Sequence, residues 1–160
     1  MTSIVSRVPY VMDYLVTLFA NASTLGQATP PVAVYDGPAV TGETPGLILW
    51  VGMDDPDSDT APTSAHSDRA WGPGLAGQSE TLTVNCVAES WSGNDSVSAA
   101  RASVYGIVTA VEALVRADTT QFGGNGMLAN PGVTGSDLRQ NDTQQGGQAR
   151  VVFQVVLEAL

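Results

Sequence analysis

Asp54-Asp55-Pro56-Asp57-Ser58-Asp59 is the densest run of potential metal ligands in the chain. Carboxylates at Asp55, Asp57 and Asp59 alternate as the first ligands of a calcium loop do. Such a loop of the EF-hand type also needs glycine at its sixth position, for a sharp turn, and glutamate at its twelfth, as a bidentate ligand. Counted from Asp55, those positions hold Thr60 and His66, so the spacing fails. Asp54, Asp55, Asp57 and Asp59 therefore read as an acidic loop facing solvent. His66 is the sole histidine and stands in Ala-His-Ser-Asp. A serine nucleophile would have to use it as a base, yet no G-x-S-x-G turn is present to expose that serine. One histidine and one cysteine cannot build a zinc site. Gly123-Gly124-Asn125-Gly126 lacks the Lys-Ser/Thr that completes a phosphate loop, and reads as a flexible connection. No catalytic residue, metal ligand or cofactor site is expected.

The remaining reactive or adhesive side chains are few. Cys86 alternates in phase with Leu82 and Val84, which predicts a buried thiol and not a reactive one. Trp50 lies in an apolar run and is expected in the core; Trp91 closes a strand and is placed to cover a sheet edge. Trp71, between Ala70 and Gly72-Pro73-Gly74, has little apolar sequence around it and is the candidate for an inter-subunit anchor. All six basic residues are arginine, against sixteen acids, for a net charge of −10. Phosphate affinity needs clustered cations, so tight nucleic-acid binding is not expected. The arginine-only usage fits a GC-rich genome, and arginine also suits interfaces. Asn21-Ala22-Ser23, Asn94-Asp95-Ser96 and Asn141-Asp142-Thr143 match the glycosylation pattern by chance, because the first residues show no signal-peptide pattern: a Pro and an Asp interrupt the apolar part. Cytoplasmic synthesis is expected, and so is the absence of a membrane span, since no uninterrupted apolar run reaches about 20 residues.

The elements that carry these residues are legible as periods. Thr81 to Trp91 alternates, with Leu82, Val84, Cys86 and Ala88 on one face and Thr83, Asn85 and Glu89 on the other, which predicts a strand. Ser92-Gly93-Asn94 is turn chemistry, and Asp95 or Ser96 can cap the helix that follows. Val97, Ala100, Val104, Ile107, Val108, Val111, Leu114 and Val115 form one helical stripe that must pack on a sheet. Pro9, Val11, Leu15, Leu18 and Phe19 predict an earlier helix, from about residue 5 or 9 to 22. Val32-Ala33-Val34-Tyr35 and Gly46 to Gly52 read as two strands paired in a hairpin with a wide loop. At the C-terminus Val151, Phe153, Val155 and Leu157 share one strand face, opposite Gln154 and Glu158.

These elements predict one α+β domain over residues 1–160: a small mixed, mainly antiparallel four-stranded sheet, two helices packed on one face, and two long loops at 53–78 and 118–148. Leu82, Val84, Val104, Ile107, Val111, Phe153 and Val155 are the expected core. Ordering a loop costs on the order of 1–2 kcal/mol per residue. Polar loops of this length do not recover that from their own domain, so contacts with other subunits are expected to order them. Arg69, Trp71 and Arg139 are the candidate contact residues.

The helix 5–22, strands 32–35 and 46–51, strand 81–91 leading into helix 96–117, and the final strand through Val151-Val152-Phe153-Gln154-Val155-Val156 resemble, in order, the tail terminator (tail-completion) proteins of long-tailed bacteriophages. The resemblance spans nearly the whole chain and rests on architecture, with no diagnostic motif. The acidic, lysine-free composition resembles phages of high-GC actinobacteria. The resemblance implies a homo-oligomer, a hexameric ring that caps the tail tube at the tail–neck junction of the virion. Its partners would be the major tail tube protein and head–tail connector proteins, with double-stranded DNA passing through and not bound specifically. Six copies would bring roughly −60 to that ring, a charge that repels phosphate. The alternatives are a head–tail connector or head-completion protein of the same virion and, from another class, a small hydrolase or ligand-binding domain.

Overall fold

The apolar alternations of the two predicted C-terminal-half strands meet face to face. β4 (Gln78–Ser92) and β6 (Gly146–Ala159) run antiparallel, with Leu82 opposite Leu157, Val84 opposite Val155, Cys86 opposite Phe153 and Ala88 opposite Val151. This pair is the spine of a computed structural model that describes residues 6–38, 46–55, 63–71, 78–92, 97–118, 128–143 and 146–159. Four further strands join it: β1 (Val32–Asp36), β2 (Leu47–Val51), β3 (Ala65–Trp71) and β5 (Leu128–Thr143). The order is β1-β2-β4-β6-β5, with β3 also on β4. β1 and β2 are parallel; every other pair is antiparallel.

Helices α1 (Val8–Ala20) and α3 (Val97–Ala117) cover one face of this sheet, with a one-turn helix α2 (Ser23–Gly26) between α1 and β1. Val11, Leu15 and Phe19 of α1 and Val104, Ile107 and Val111 of α3 close over Leu49, Leu82, Val84, Phe153 and Val155 in one apolar core. Each of the expected core residues is buried there. Pro9 stands in the first turn of α1, where its missing N–H leaves no bond unmade. α3 is also long and apolar enough, by length and composition, to cross a membrane. A count of uninterrupted apolar residues does not reveal this, because Ser, Thr, Arg and Glu punctuate a helix otherwise built from Ala, Gly, Val, Ile, Leu and Tyr.

The fold is α+β, but the four-stranded, two-helix expectation is wrong: the described residues form six strands in one sheet and three helices. The two additional strands lie inside the stretches expected as loops 53–78 and 118–148. β3, Ala-His-Ser-Asp-Arg-Ala-Trp, carries no apolar alternation because it is a largely exposed edge strand in which only Ala65 and Ser67 are half-buried. Backbone pairing to β4 holds it, from Ala65 opposite Val84 to Trp71 opposite Gln78. β5 contains Pro131, Gly132, Gly135 and several Asn and Asp, residues depleted in strands. It stays paired to β6 through two register shifts, between Ala129 and Gly132 and between Thr134 and Ser136. Pro131 stands in the first, where no ladder N–H is needed; Gly135, at φ +58°, stands in the second. The expected hairpin of strands 32–35 and 46–51 is also corrected. The two strands run parallel, with Val32 beside Leu47 and Asp36 beside Val51, and a hairpin would make them antiparallel.

β2 and β3 line up end to end along the same edge of β4, and Asn85 occupies the break between them. Its carbonyl accepts from the N–H groups of Gly52 (2.7 Å) and Met53 (3.0 Å), and its own N–H donates to Ser64 O (3.0 Å). Its side-chain Nδ2 donates to Thr63 O (2.8 Å), and its Oδ1 accepts from Gln154 Nε2 (3.2 Å). Gly52 must be glycine here: its φ is +81°, and a Cβ would meet Met12 Cε at 2.4 Å.

Candidate functional site

Odd-numbered positions of β4 face away from the helices, and there a polar network replaces a second helical layer. Ile48, Glu89, Arg150 and Arg139 form one cross-strand row over β2, β4, β6 and β5. The Glu89 carboxylate is 4% exposed, and its two oxygens accept four hydrogen bonds. Oε1 takes Trp91 Nε1 (2.6 Å) and Gln148 Nε2 (3.0 Å). Oε2 takes Arg150 Nε (3.0 Å) and Nη2 (2.9 Å). Burying a carboxylate costs several kcal/mol unless charge and hydrogen bonds offset it, and here both are supplied. Next to this network lies a small apolar patch of Ile48, Trp50, Met53 and Val87. Trp50 is thus buried as expected, though on the face without helices.

Arg139, Gln140, Asn141, Gln148 and Arg150 line a cavity of about 330 Å³. Two guanidiniums beside three amides are the side chains an anionic ligand would use, but Arg150 already grips Glu89 and Arg139 is paired with Asp55. A ligand carboxylate or phosphate would have to displace a carboxylate held at short range. The cavity is better matched to bracing β5 on β6 than to binding an anion.

A second buried carboxylate, Glu80, lies on the helix-covered face of the same strand and is 8% exposed. Oε1 accepts from Ser6 Oγ (2.6 Å) and Ser67 Oγ, and Oε2 from the Arg7 backbone N–H (3.1 Å). Arg69 Nε stands 3.8 Å away. Burial alone pushes this carboxyl up; the two hydroxyls, the Arg7 N–H and the Arg69 charge together outweigh it and hold Glu80 below the ordinary glutamate range. Glu80 therefore ties the chain entering α1 to both strands of the β3–β4 hairpin. The signal for it was present: an acid in phase with Leu82, Val84, Cys86 and Ala88 must find partners on the buried face.

The expected site residues divide sharply. Trp71 is 79% exposed near the tip of the β3–β4 hairpin. Arg69 and Arg139, proposed beside it as contact residues, are engaged within the chain by Glu80 and Asp55. Asp55 also bonds to Asp54 through its backbone N–H (2.7 Å), so the described part of the acidic loop is partly folded against β5 and not simply solvated. Asp57 and Asp59 lie outside the described residues, as do the cap candidates Asp95 and Ser96 and the glycines 123–126. His66 is exposed on β3, its Nε2 3.4 Å from Asp68. Cys86 is fully buried, and burial pushes its thiol up to about 12, so it stays protonated and unreactive at neutral pH. Among the described residues no group of three or more His, Cys, Asp or Glu is arranged to hold a metal. No protein-family model and no curated protein sequence matches the chain.

Proposed function

We propose that the protein is a structural subunit of a phage tail: its copies form a ring that ends the tail tube and joins it to the head–neck complex, and DNA passes through without being held. The observation that supports this most is the disposition of charge. Four of the six arginines, Arg69, Arg116, Arg139 and Arg150, face carboxylates of their own chain. No cationic cluster is left to hold phosphates, while the net charge stays at −10. A conduit for DNA needs that repulsion, because a groove that bound phosphate would stall the duplex. The buried carboxylates and the buried thiol are consumed in packing, which suits a building block more than an enzyme. The tail–neck junction is then its place in the virion, after synthesis in the host cytoplasm, with the major tail tube protein and connector proteins as neighbours.

Electron microscopy of the purified full chain tests this directly. Rings with a central hole that admits duplex DNA are expected; particles of monomer size at high micromolar concentration would refute it. In a parallel titration, duplex DNA near physiological salt should show no submicromolar, salt-sensitive binding.

A further inference from the structure

Beyond Glu80, the last β4 residue with a described β6 partner, Ala70 and Trp71 pair with Ser79 and Gln78, and these four residues form the end of a β3–β4 arm. A tryptophan 79% exposed on such an arm has no partner of its own size within the described residues. At the opposite end of the molecule, an apolar groove of about 270 Å³ opens between α2, β1 and α3, walled by Leu25, Val32, Leu47, Ile107 and Ala110 with Gly106 at its lip. None of the described residues lining it is charged. α3 is apolar well beyond the face it buries, and this flank is part of that excess.

We infer that the β3–β4 arm of one copy seats Trp71 in the α2–β1–α3 groove of a second copy. Two observations select this occupant. First, Trp71 pairs with Gln78 and the groove residue Leu47 with Ser90, twelve positions apart on β4. At about 3.3 Å per residue they lie roughly 40 Å apart, so the arm cannot reach its own groove. Second, copies that each carry −10 repel except through neutral surfaces. Both patches are neutral: the described residues lining the groove carry no charge, and neither do Ala70, Trp71, Gln78 and Ser79 at the end of the arm. Two unlike patches at opposite ends make a head-to-tail contact, which closes into a ring or runs on as a filament. The inference rests on the proposed ring only for self-association, and supplies the joint.

Two full-length variants test it. Trp71→Ala removes the knob. Gly106→Glu blocks the groove, because a Cβ at Gly106 meets nothing within 4 Å and glutamate is a good helix former, so folding is preserved; thermal melting checks this for both variants. In sedimentation velocity the wild type should self-associate, and each variant should do so about 30-fold more weakly or worse. A 1:1 mixture should form dimers and nothing larger, since only one knob and one groove remain. Variants that assemble like the wild type overturn the contact but leave the ring standing. A mixture that stays monomeric, or Gly106→Glu assembling while Trp71→Ala does not, overturns it in favour of another seat for the indole. Dimers in the mixture beside open filaments of wild type would keep the contact and refute the ring. A wild type that stays monomeric, or that sediments with phosphatidylcholine vesicles through Trp71 instead, removes both.

Discussion

Glu80 and Glu89 stand nine positions apart on one strand, both nearly inaccessible to water, and the protein treats them differently. Glu89 faces away from the helices and is met by a guanidinium through two nitrogens, an indole and an amide, all from β4 and β6. Glu80 faces the helices and is met by two hydroxyls and a backbone N–H, with its arginine only at 3.8 Å. One carboxylate knits neighbouring strands of a rigid spine. The other fastens elements far apart in sequence, the entry to α1 and the arm. The difference shows that a buried acid can serve as a rivet or a latch, according to whether its partners lie in the same sheet or in separate elements.

The largest effect should come from removing the rivet's cation. Arg150→Ala leaves Glu89 buried without its counter-charge and should cost about 3–5 kcal/mol, measured by chemical denaturation. A loss below about 1 kcal/mol would mean that water reaches Glu89 and that the two sites are not distinct in kind. The latch should respond to acid. Because the Glu80 carboxyl is held below its ordinary value of 4.5, its stabilisation is present above that pH and fades as pH falls through the lowered value. Glu80→Gln should therefore lose stability at neutral pH, by about 1–3 kcal/mol, and show a flatter acid limb than the wild type. Parallel acid limbs in the two proteins would show that Glu80 does not contribute to acid unfolding. The smallest effect belongs to the arm beyond the latch. In dilute monomer, Trp71→Ala should change stability by no more than about 0.5 kcal/mol, since the side chain touches little. A larger loss would place the indole in contact with its own chain.

Much of the fold was open to reading because burial on one face writes a period into the sequence. The stripe from Ala100 to Val115 and the alternations at Leu82–Ala88 and Val151–Leu157 each had to find an apolar partner, and they found one another. Strands β3 and β5 wrote no such period. They are edge strands whose exposed faces accept His, Asp, Arg, Gln and Asn, and only backbone pairing to β4 and β6 makes them strands. The candidate residues followed the same division. Trp71 was legible as an exposed aromatic because no apolar neighbours surround it. Arg69 and Arg139 looked equally available, but an arginine's partner can lie anywhere in the chain, and theirs are Glu80 and Asp55.

By itself the sequence determined the composition of the layers: which residues enter the core, that Cys86 is sealed, and that the surface is acidic without a cationic cluster. Those follow from residue type and local period, which need no knowledge of distant neighbours. Only the tertiary structure decided the six-stranded order, the parallel run of β1 beside β2, the branch at Asn85, and the separation of the arm from the groove by the length of β4. These depend on pairings between segments far apart in the chain. Backbone hydrogen bonds, which make those pairings, are open to every residue, proline lacking only the donor, and leave no mark on side-chain type.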